Sequence, residues 1–75
     1  MLRRTFDVEI KQVKDDVLVL GSMVEQAIVE SVEALKRRDA EASRRLFQAD
    51  RDINRLRFDI ENRLMIMIAT QQPMA

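Results

Sequence analysis

The chain has 75 residues, and its thirteen basic and thirteen acidic side chains leave it with no formal net charge. It contains no cysteine and no histidine, which excludes disulfide bonds, thiolate metal sites and the commonest general base. Residues 1–38 carry seven charges of each sign and residues 39–75 carry six of each, so we expect no basic face typical of nucleic-acid-binding proteins. A chain this short forms a small core, which leaves helix packing and self-association as its sources of stability.

The first half of the chain has the apolar spacing of one long helix. Apolar residues recur at intervals of four and three at Phe6, Ile10, Val13, Val17, Leu20, Val24 and Ala27. Thr5 is a candidate N-cap, and the basic residues at 36–38 complement the dipole at the C-terminus. We predict a helix over about residues 5–38.

A second helix is predicted over about residues 40–70. Asp39 is its candidate N-cap, and Pro73 favours an end near Thr70 because the residue before a proline disfavours the helical region. The apolar stripe, which Arg63 interrupts, consists of Ala42, Leu46, Ala49, Ile53, Leu56, Ile60 and Met67.

A short connection between two such helices predicts an all-α fold, an antiparallel two-helix hairpin. Charged pairs four residues apart are expected on its surface, namely Glu33 with Arg37, Glu41 with Arg45 and Asp59 with Arg63. The longest apolar run, at 64–69, is far short of the ~20 residues that a membrane-spanning helix needs, so no transmembrane segment is predicted.

A second set of apolar residues lies off the main stripe of each helix. One neighbouring helix cannot cover faces this wide, and exposed apolar patches usually mark interfaces. We therefore predict a homo-oligomer, a dimer or larger, in which association completes a helical bundle of the coiled-coil type. The predicted interface residues are Phe47, Phe58, Met65 and Ile68 in the second helix and Leu18, Ile28 and Val32 in the first.

No constellation of catalytic residues is visible, because serine hydroxyls lack their usual histidine base. Asp50 and Asn54 lie one helical turn apart and are weak candidates for binding a hard cation through oxygen. The alternative is a solvated polar strip, and we expect no occupancy, since the Asn54 amide is a neutral ligand. Gly21, inside the first helix, either admits a closely approaching backbone or is a tolerated weak point.

Five segments occur in a distinctive order, at residues 6–10, 20–27, 34–39, 50–56 and 71–75. Their order resembles the PhoU family of phosphate-transport regulators. The resemblance extends over essentially the whole chain from about residue 5, and the last segment matches a break that precedes the family's next helix.

The resemblance implies a fold and a role. PhoU-like proteins contain two three-helix bundles in tandem, so residues 1–75 would be a single partial domain, two helices of the first bundle. Members repress phosphate uptake and the phosphate-starvation response, and they contact the phosphate ABC transporter and its sensor kinase. The implied location is the cytoplasm, with peripheral association at the inner face of the membrane left open. The alternative function is a structural hairpin that only assembles with itself.

The resemblance also bears on metal binding. Some family members bind metal clusters through acidic residues four positions apart. Asp50 matches the first position of such a pair, whereas Asn54 stands where a second acidic residue is typical. We therefore expect no metal and no other cofactor in this chain, and no enzymatic activity.

Overall fold

A computed structural model describes the backbone of residues 3–70 and the side chains of residues 4–70. Helix α1 spans Arg3–Arg37 and helix α2 spans Ala42–Thr70. The two helices pack side by side in a rod of 57 × 16 × 16 Å. The predicted all-α antiparallel hairpin is confirmed.

The ends of the helices differ slightly from the prediction. Thr5 is not the N-cap, because α1 already includes Arg3. At the other end α1 stops at Arg37 rather than at residue 38, because the backbone of Arg38 turns into the left-handed region with φ 53°. The end of α2 at Thr70 agrees with the prediction, while Pro73 lies outside the described residues.

The turn closes α1 through two backbone hydrogen bonds. The Asp39 N–H donates to the Ala34 carbonyl at 2.9 Å, and the Arg38 N–H donates to the Leu35 carbonyl at 3.1 Å. This pair of bonds around one left-handed residue is the Schellman motif, which satisfies carbonyls that the helix end would leave unpaired. The chain therefore reverses direction without a glycine.

Asp39 then caps α2, as predicted. Its Oδ1 accepts a hydrogen bond from the Ala42 N–H at 3.3 Å, so the side chain satisfies a backbone donor that has no helical partner. The α-helix begins two residues later than the predicted residue 40. The reason is that bonds between residues three apart, from Ser43 to Ala40 and from Arg44 to Glu41, close the first turn more tightly.

The contact between the helices follows a line that we call the seam. Its residues, buried or half-buried, are spaced by three or four positions. In α1 they are Phe6, Ile10, Val13, Asp16, Leu20, Met23, Ala27, Glu30 and Ala34, and in α2 they are Ala42, Leu46, Ala49, Ile53, Leu56, Ile60, Arg63 and Met67.

The predicted stripe of α1 is wrong at two positions. Val17 and Val24 were placed on the contact face, but they are 47% and 37% exposed, and Asp16 and Met23 lie at the seam instead. At Asp16 the seam position allows an ion pair with Arg63, the residue that interrupts the apolar stripe of α2.

The predicted surface pairs are replaced by other partners. Arg45 binds Glu30 across the hairpin and Asp39 in the turn, each at 3.4 Å, rather than Glu41. Arg63 binds Asp16 rather than Asp59, and Glu33 pairs with Lys36 at 3.6 Å rather than with Arg37. Pairs four residues apart lie within one helix, whereas an arginine beside the seam can reach an acidic residue of the other helix. Within residues 3–70, neither helix combines the length and apolar character needed to cross a membrane.

Candidate functional site

Asp50 and Asn54, the candidate cation ligands, are hydrogen-bonded to each other. The Asn54 amide Nδ2 donates to Asp50 Oδ2 at 3.2 Å. Asp50 lines a shallow groove between the helices, and its neighbours there are mostly apolar. The other lining residues are Val24, Ala27, Ile28, Ser31, Leu46 and Ile53.

These residues do not fit a metal site. Among the described residues, no three acidic side chains come together in a way that could hold an ion. The Asn54 amide directs a donor toward Asp50, whereas Mg²⁺ and Ca²⁺ need about six to eight oxygen ligands. Arg51 and Arg55 are close in sequence and oppose a cation. Asp50 is thus an acidic side chain in an apolar groove, without the ligands that would make it a metal centre.

The exposed residues divide by their position relative to the seam. We call one side the apolar flank, because the residues that directly follow seam residues are there and include many large apolar side chains. Its apolar members are Val17, Val24, Ile28, Leu35, Phe47, Leu64 and Ile68, each at least 37% exposed. In an antiparallel pair, the residues that follow the seam in both helices lie on the same face. The groove that contains Ile28 and Asp50 joins the two helices on this side.

The opposite flank is polar. One depression there is lined by Gln26, Glu30 and Asp52, among others, and a second by Asp16, Asp59, Asn62 and Arg63 beside Leu56. The ion pair of Arg45 with Glu30 crosses this side. The large apolar residues that directly precede seam residues are fewer, namely Val19, Val29 and Ile66. The two faces of the hairpin are therefore chemically different.

The predicted interface residues are all exposed, but they do not form one surface. Ile28, Phe47 and Ile68 lie on the apolar flank. Four others lie midway between seam residues and so face away from the partner helix, on what we call the outer edges: Leu18, Val32, Phe58 and Met65. The apolar spacing alone does not mark four further exposed residues of the apolar flank as interface residues, namely Val17, Val24, Leu35 and Leu64. These four residues can be recognised once the seam is known, because each of them directly follows a seam residue.

The apolar flank also carries six charged residues, namely Asp7, Lys11, Lys14, Asp50, Arg57 and Glu61. Arg57 donates from Nη1 to both carboxylate oxygens of Glu61, at 3.0 and 3.1 Å, so these two charges neutralise each other. Lys14, which follows Val13, forms no ion pair among the described residues. Asp7 and Asp50, which also follow seam residues, likewise form no ion pair among the described residues.

Comparison with known proteins identifies the family. Residues 17–75 match the family described as PhoU domain, which is well over half of the chain. The chain belongs to the PhoU family. The segment order noted in the sequence is thereby confirmed as a family resemblance.

Similar proteins share the PhoU name. A PhoU homolog of Clostridium acetobutylicum is 32% identical over 73 residues, covering 97% of this chain and 33% of the relative. A homolog from Aquifex aeolicus is 34% identical over 67 residues, covering 89% of this chain and 30% of the relative. The PhoU of Escherichia coli is 27% identical over 70 residues, covering 93% of this chain and 29% of the relative.

These three relatives are described as accessory proteins, or homologs of accessory proteins, of a phosphate-specific transport system. The chain spans about a third of their length. No solved structure gives a significant match to it.

Proposed function

We propose that this chain is a non-catalytic regulatory module that contributes to negative regulation of phosphate uptake and of the phosphate-starvation response. Membership of the PhoU family carries the proposal, since relatives are named as accessory proteins of phosphate transport. The chain supports binding rather than catalysis, because it has no histidine or cysteine and exposes large apolar side chains.

The partners we propose are the phosphate ABC transporter and its sensor kinase, at the cytoplasmic face of the membrane. The outer edge of α2 offers them a small apolar patch, because Phe58 and Met65 are seven residues apart and lie on one side of the helix. Aromatic and methionine side chains are enriched at protein interfaces. This patch points away from the seam, so the packing of the hairpin leaves it accessible.

Binding to purified transporter ATPase and sensor kinase tests the proposal. We expect the wild-type chain to be retained by at least one of them and Phe58→Asp to lose retention by roughly tenfold, the effect of about 1.4 kcal/mol. Gln12→Asp, an exposed position on the polar side of α1, is the matched control and should bind normally. No retention by either protein, or equal loss in both variants, contradicts the proposal.

A structural hairpin that only assembles with itself is the second candidate, and the apolar flank favours it. Expression of the chain in cells with constitutive starvation signalling separates the two. A regulatory module lowers a phosphate-starvation reporter at high phosphate, whereas an assembly element forms oligomers and leaves the reporter unchanged.

A further inference from the structure

The outer edge of α2 is a line of four side chains with two kinds of chemistry. Arg44, Arg51, Phe58 and Met65 are seven residues apart, and each lies midway between two seam residues that are four apart. All four are exposed, Phe58 by 65% and Met65 by 68%. Helical positions seven apart lie on one side of the helix, so the line extends ~32 Å at ~1.5 Å per residue. The half of this edge nearer the turn is basic, and the other half is apolar.

The arginines of this edge have no acidic partner in the described hairpin. Three of the six arginines of α2 form ion pairs with acidic residues of the hairpin, namely Arg45, Arg57 and Arg63. The other three, Arg44, Arg51 and Arg55, form no ion pair among residues 4–70. Arg55 follows Arg51 by one helical turn and lies beside the outer edge, toward the polar flank. These three guanidinium groups are therefore available to carboxylates of another molecule.

Arg51 and Arg55 are like charges at neighbouring positions of the helix surface. Side chains four residues apart face each other, and a pair of like charges at this spacing destabilises a helix. Each guanidinium presents a planar fork of N–H donors that matches the two oxygens of a carboxylate. A carboxylate placed between Arg51 and Arg55 offsets their repulsion and accepts hydrogen bonds from both. The pair is therefore suited to bind an acidic side chain of another protein.

The outer edge of α2 stays exposed whichever element covers the apolar flank. The resemblance to PhoU-like proteins implies a three-helix bundle, in which the next helix packs against both α1 and α2. Such a helix lies on a flank of the hairpin, because only there can it contact α1 and α2 together. Residues midway between seam residues point away from α1 and remain on the outside of the bundle. The outer edge of α2 is therefore free for contact with another protein.

We propose that the outer edge of α2 binds a segment of a partner protein that is acidic at one end and apolar at the other. The carboxylates of this segment pair with Arg44, Arg51 and Arg55, and its apolar side chains pack on Phe58 and Met65. Arginine, methionine and aromatic side chains are the residues enriched at protein interfaces. The inference rests on the proposed function, because it specifies the chemistry of the partner that the Phe58 and Met65 patch binds.

Charge placement favours a protein segment over an anionic lipid surface. Asp50 and Asp52 flank Arg51 in the sequence, Asp59 follows Phe58, and the whole chain has no formal net charge. A membrane carries its negative charge along the full length of the helix and therefore repels these carboxylates, whereas helices that bind membrane surfaces are rich in basic residues. A partner protein can place a few carboxylates opposite the arginines alone.

Charge reversal tests the basic half of this surface. Binding of the wild-type chain to purified transporter ATPase or sensor kinase should weaken as the salt concentration rises. Arg51→Glu should weaken binding by roughly tenfold at low salt, and Arg51→Lys, which keeps the charge without the fork, by less. Arg51→Glu also replaces the repulsion with Arg55 by attraction, so lost binding cannot be assigned to a weaker helix. Arg4→Glu, the same charge change at an exposed position of α1, is the matched control and should bind normally.

The outcomes separate this inference from the proposed function. Full affinity in Arg51→Glu together with a loss in Phe58→Asp overturns the acidic partner and leaves the proposed function standing. Absence of wild-type binding to both proteins contradicts the proposed function, and this inference fails with it. Cosedimentation with vesicles of phosphatidylglycerol and phosphatidylcholine in equal parts tests the lipid surface. Wild-type binding to these vesicles that Arg51→Glu abolishes, with unchanged binding to the two proteins, assigns the edge to lipid and overturns the proposal.

Discussion

At the scale of single residues, Arg38 is the non-glycine position with a positive φ in the described chain, at 53°. Left-handed backbone costs an L-residue with a Cβ roughly 1–2 kcal/mol, and glycine avoids this steric cost. The Schellman hydrogen bonds hold the conformation nonetheless, because both are formed by backbone atoms.

We predict that Arg38→Gly raises the free energy of unfolding by about 0.5–1 kcal/mol, measured by urea denaturation followed by circular dichroism. Part of the gain is offset by the greater freedom of glycine in the unfolded chain. Lys36→Gly is the control in the last turn of α1, where the backbone is helical, and it should lower the free energy of unfolding by about 1 kcal/mol. A decrease for both variants contradicts the strain argument.

The stability of the turn depends on pH through the carboxyl group of Asp39. Partial desolvation acts to raise the pKa of its carboxyl, but hydrogen bonds from Arg45 and from the Ala42 N–H, together with the Arg45 charge, outweigh it and lower the pKa. A folded-state pKa below the unfolded value means that the carboxylate stabilises the fold above about pH 4–5, and this stabilisation is lost as pH falls through the folded pKa.

The variant Asp39→Asn keeps a good N-cap without a charge. We therefore predict that thermal midpoints of the wild type and of Asp39→Asn, measured from pH 7 to pH 2, converge as the pH falls below 4. A constant difference between the two across this range would show that the Asp39 charge does not contribute through its ionisation.

Metal binding is a further residue-scale prediction. Asp50 has an amide donor and apolar neighbours rather than other carboxylates, so we predict no tight binding of Mg²⁺, iron or zinc by this chain. Elemental analysis after incubation with each metal and dialysis should give far less than one ion per chain. Stoichiometric metal that is lost in Asp50→Ala would contradict the prediction.

At the scale of the helices, the seam contains one ion pair in an otherwise largely apolar line. Asp16 and Arg63 are each more than a third exposed, at 37% and 39%, so water screens their attraction. We predict a coupling free energy of about 0.5–1 kcal/mol in a double-mutant cycle of Asp16→Ala and Arg63→Ala, measured by urea unfolding. The corresponding cycle of Lys11→Ala and Asp15→Ala, a fully surface pair, should give less. Equal coupling free energies in the two cycles would show that the position of the Asp16–Arg63 pair at the seam adds no stability.

The phase of α1 could not be predicted from its own sequence alone. Apolar spacing correctly placed Val13, Leu20 and Ala27 at the seam, as it did the seven apolar positions of α2. Either Asp16 or Val17 could occupy the seam position between Val13 and Leu20, and hydrophobicity alone favours Val17. Asp16 pairs with Arg63, which is 47 residues away, only after the helices meet, so the spacing within α1 does not distinguish the two positions.

The exposed apolar surface could be predicted only in part, because its layout also depends on how the two helices pack. The exposed apolar residues stood out in the sequence, but their division between the apolar flank and the outer edges depends on the seam. Phe47 follows Leu46 and lies on the flank, whereas Phe58 lies between Leu56 and Ile60 and points outward. The sequence presents the two phenylalanines as equivalent, and the packing separates them.

At the scale of the whole molecule, folding and association are expected to be coupled, because the hairpin alone has a small core. We predict that the thermal midpoint rises with protein concentration, as mass action requires for a dimer. Phe47→Asp should abolish this dependence and lower the midpoint, and Phe58→Asp should preserve it. A midpoint independent of concentration in the wild type would indicate a hairpin that is stable alone.

The tight turn also determines the order in which the chain can fold. Beside the turn, the bond from Asp39 to Ala34 closes a loop of a few residues, whereas the Asp16–Arg63 pair joins positions 47 apart. Closing a longer loop costs more chain entropy, so the contacts next to the turn form first and the remaining contacts form progressively toward the open end. On unfolding, the contacts are lost in the reverse order. Amide protons near Phe6 and Thr70 are therefore expected to exchange fastest, and a protease that nicks the native chain will act at the end remote from the turn.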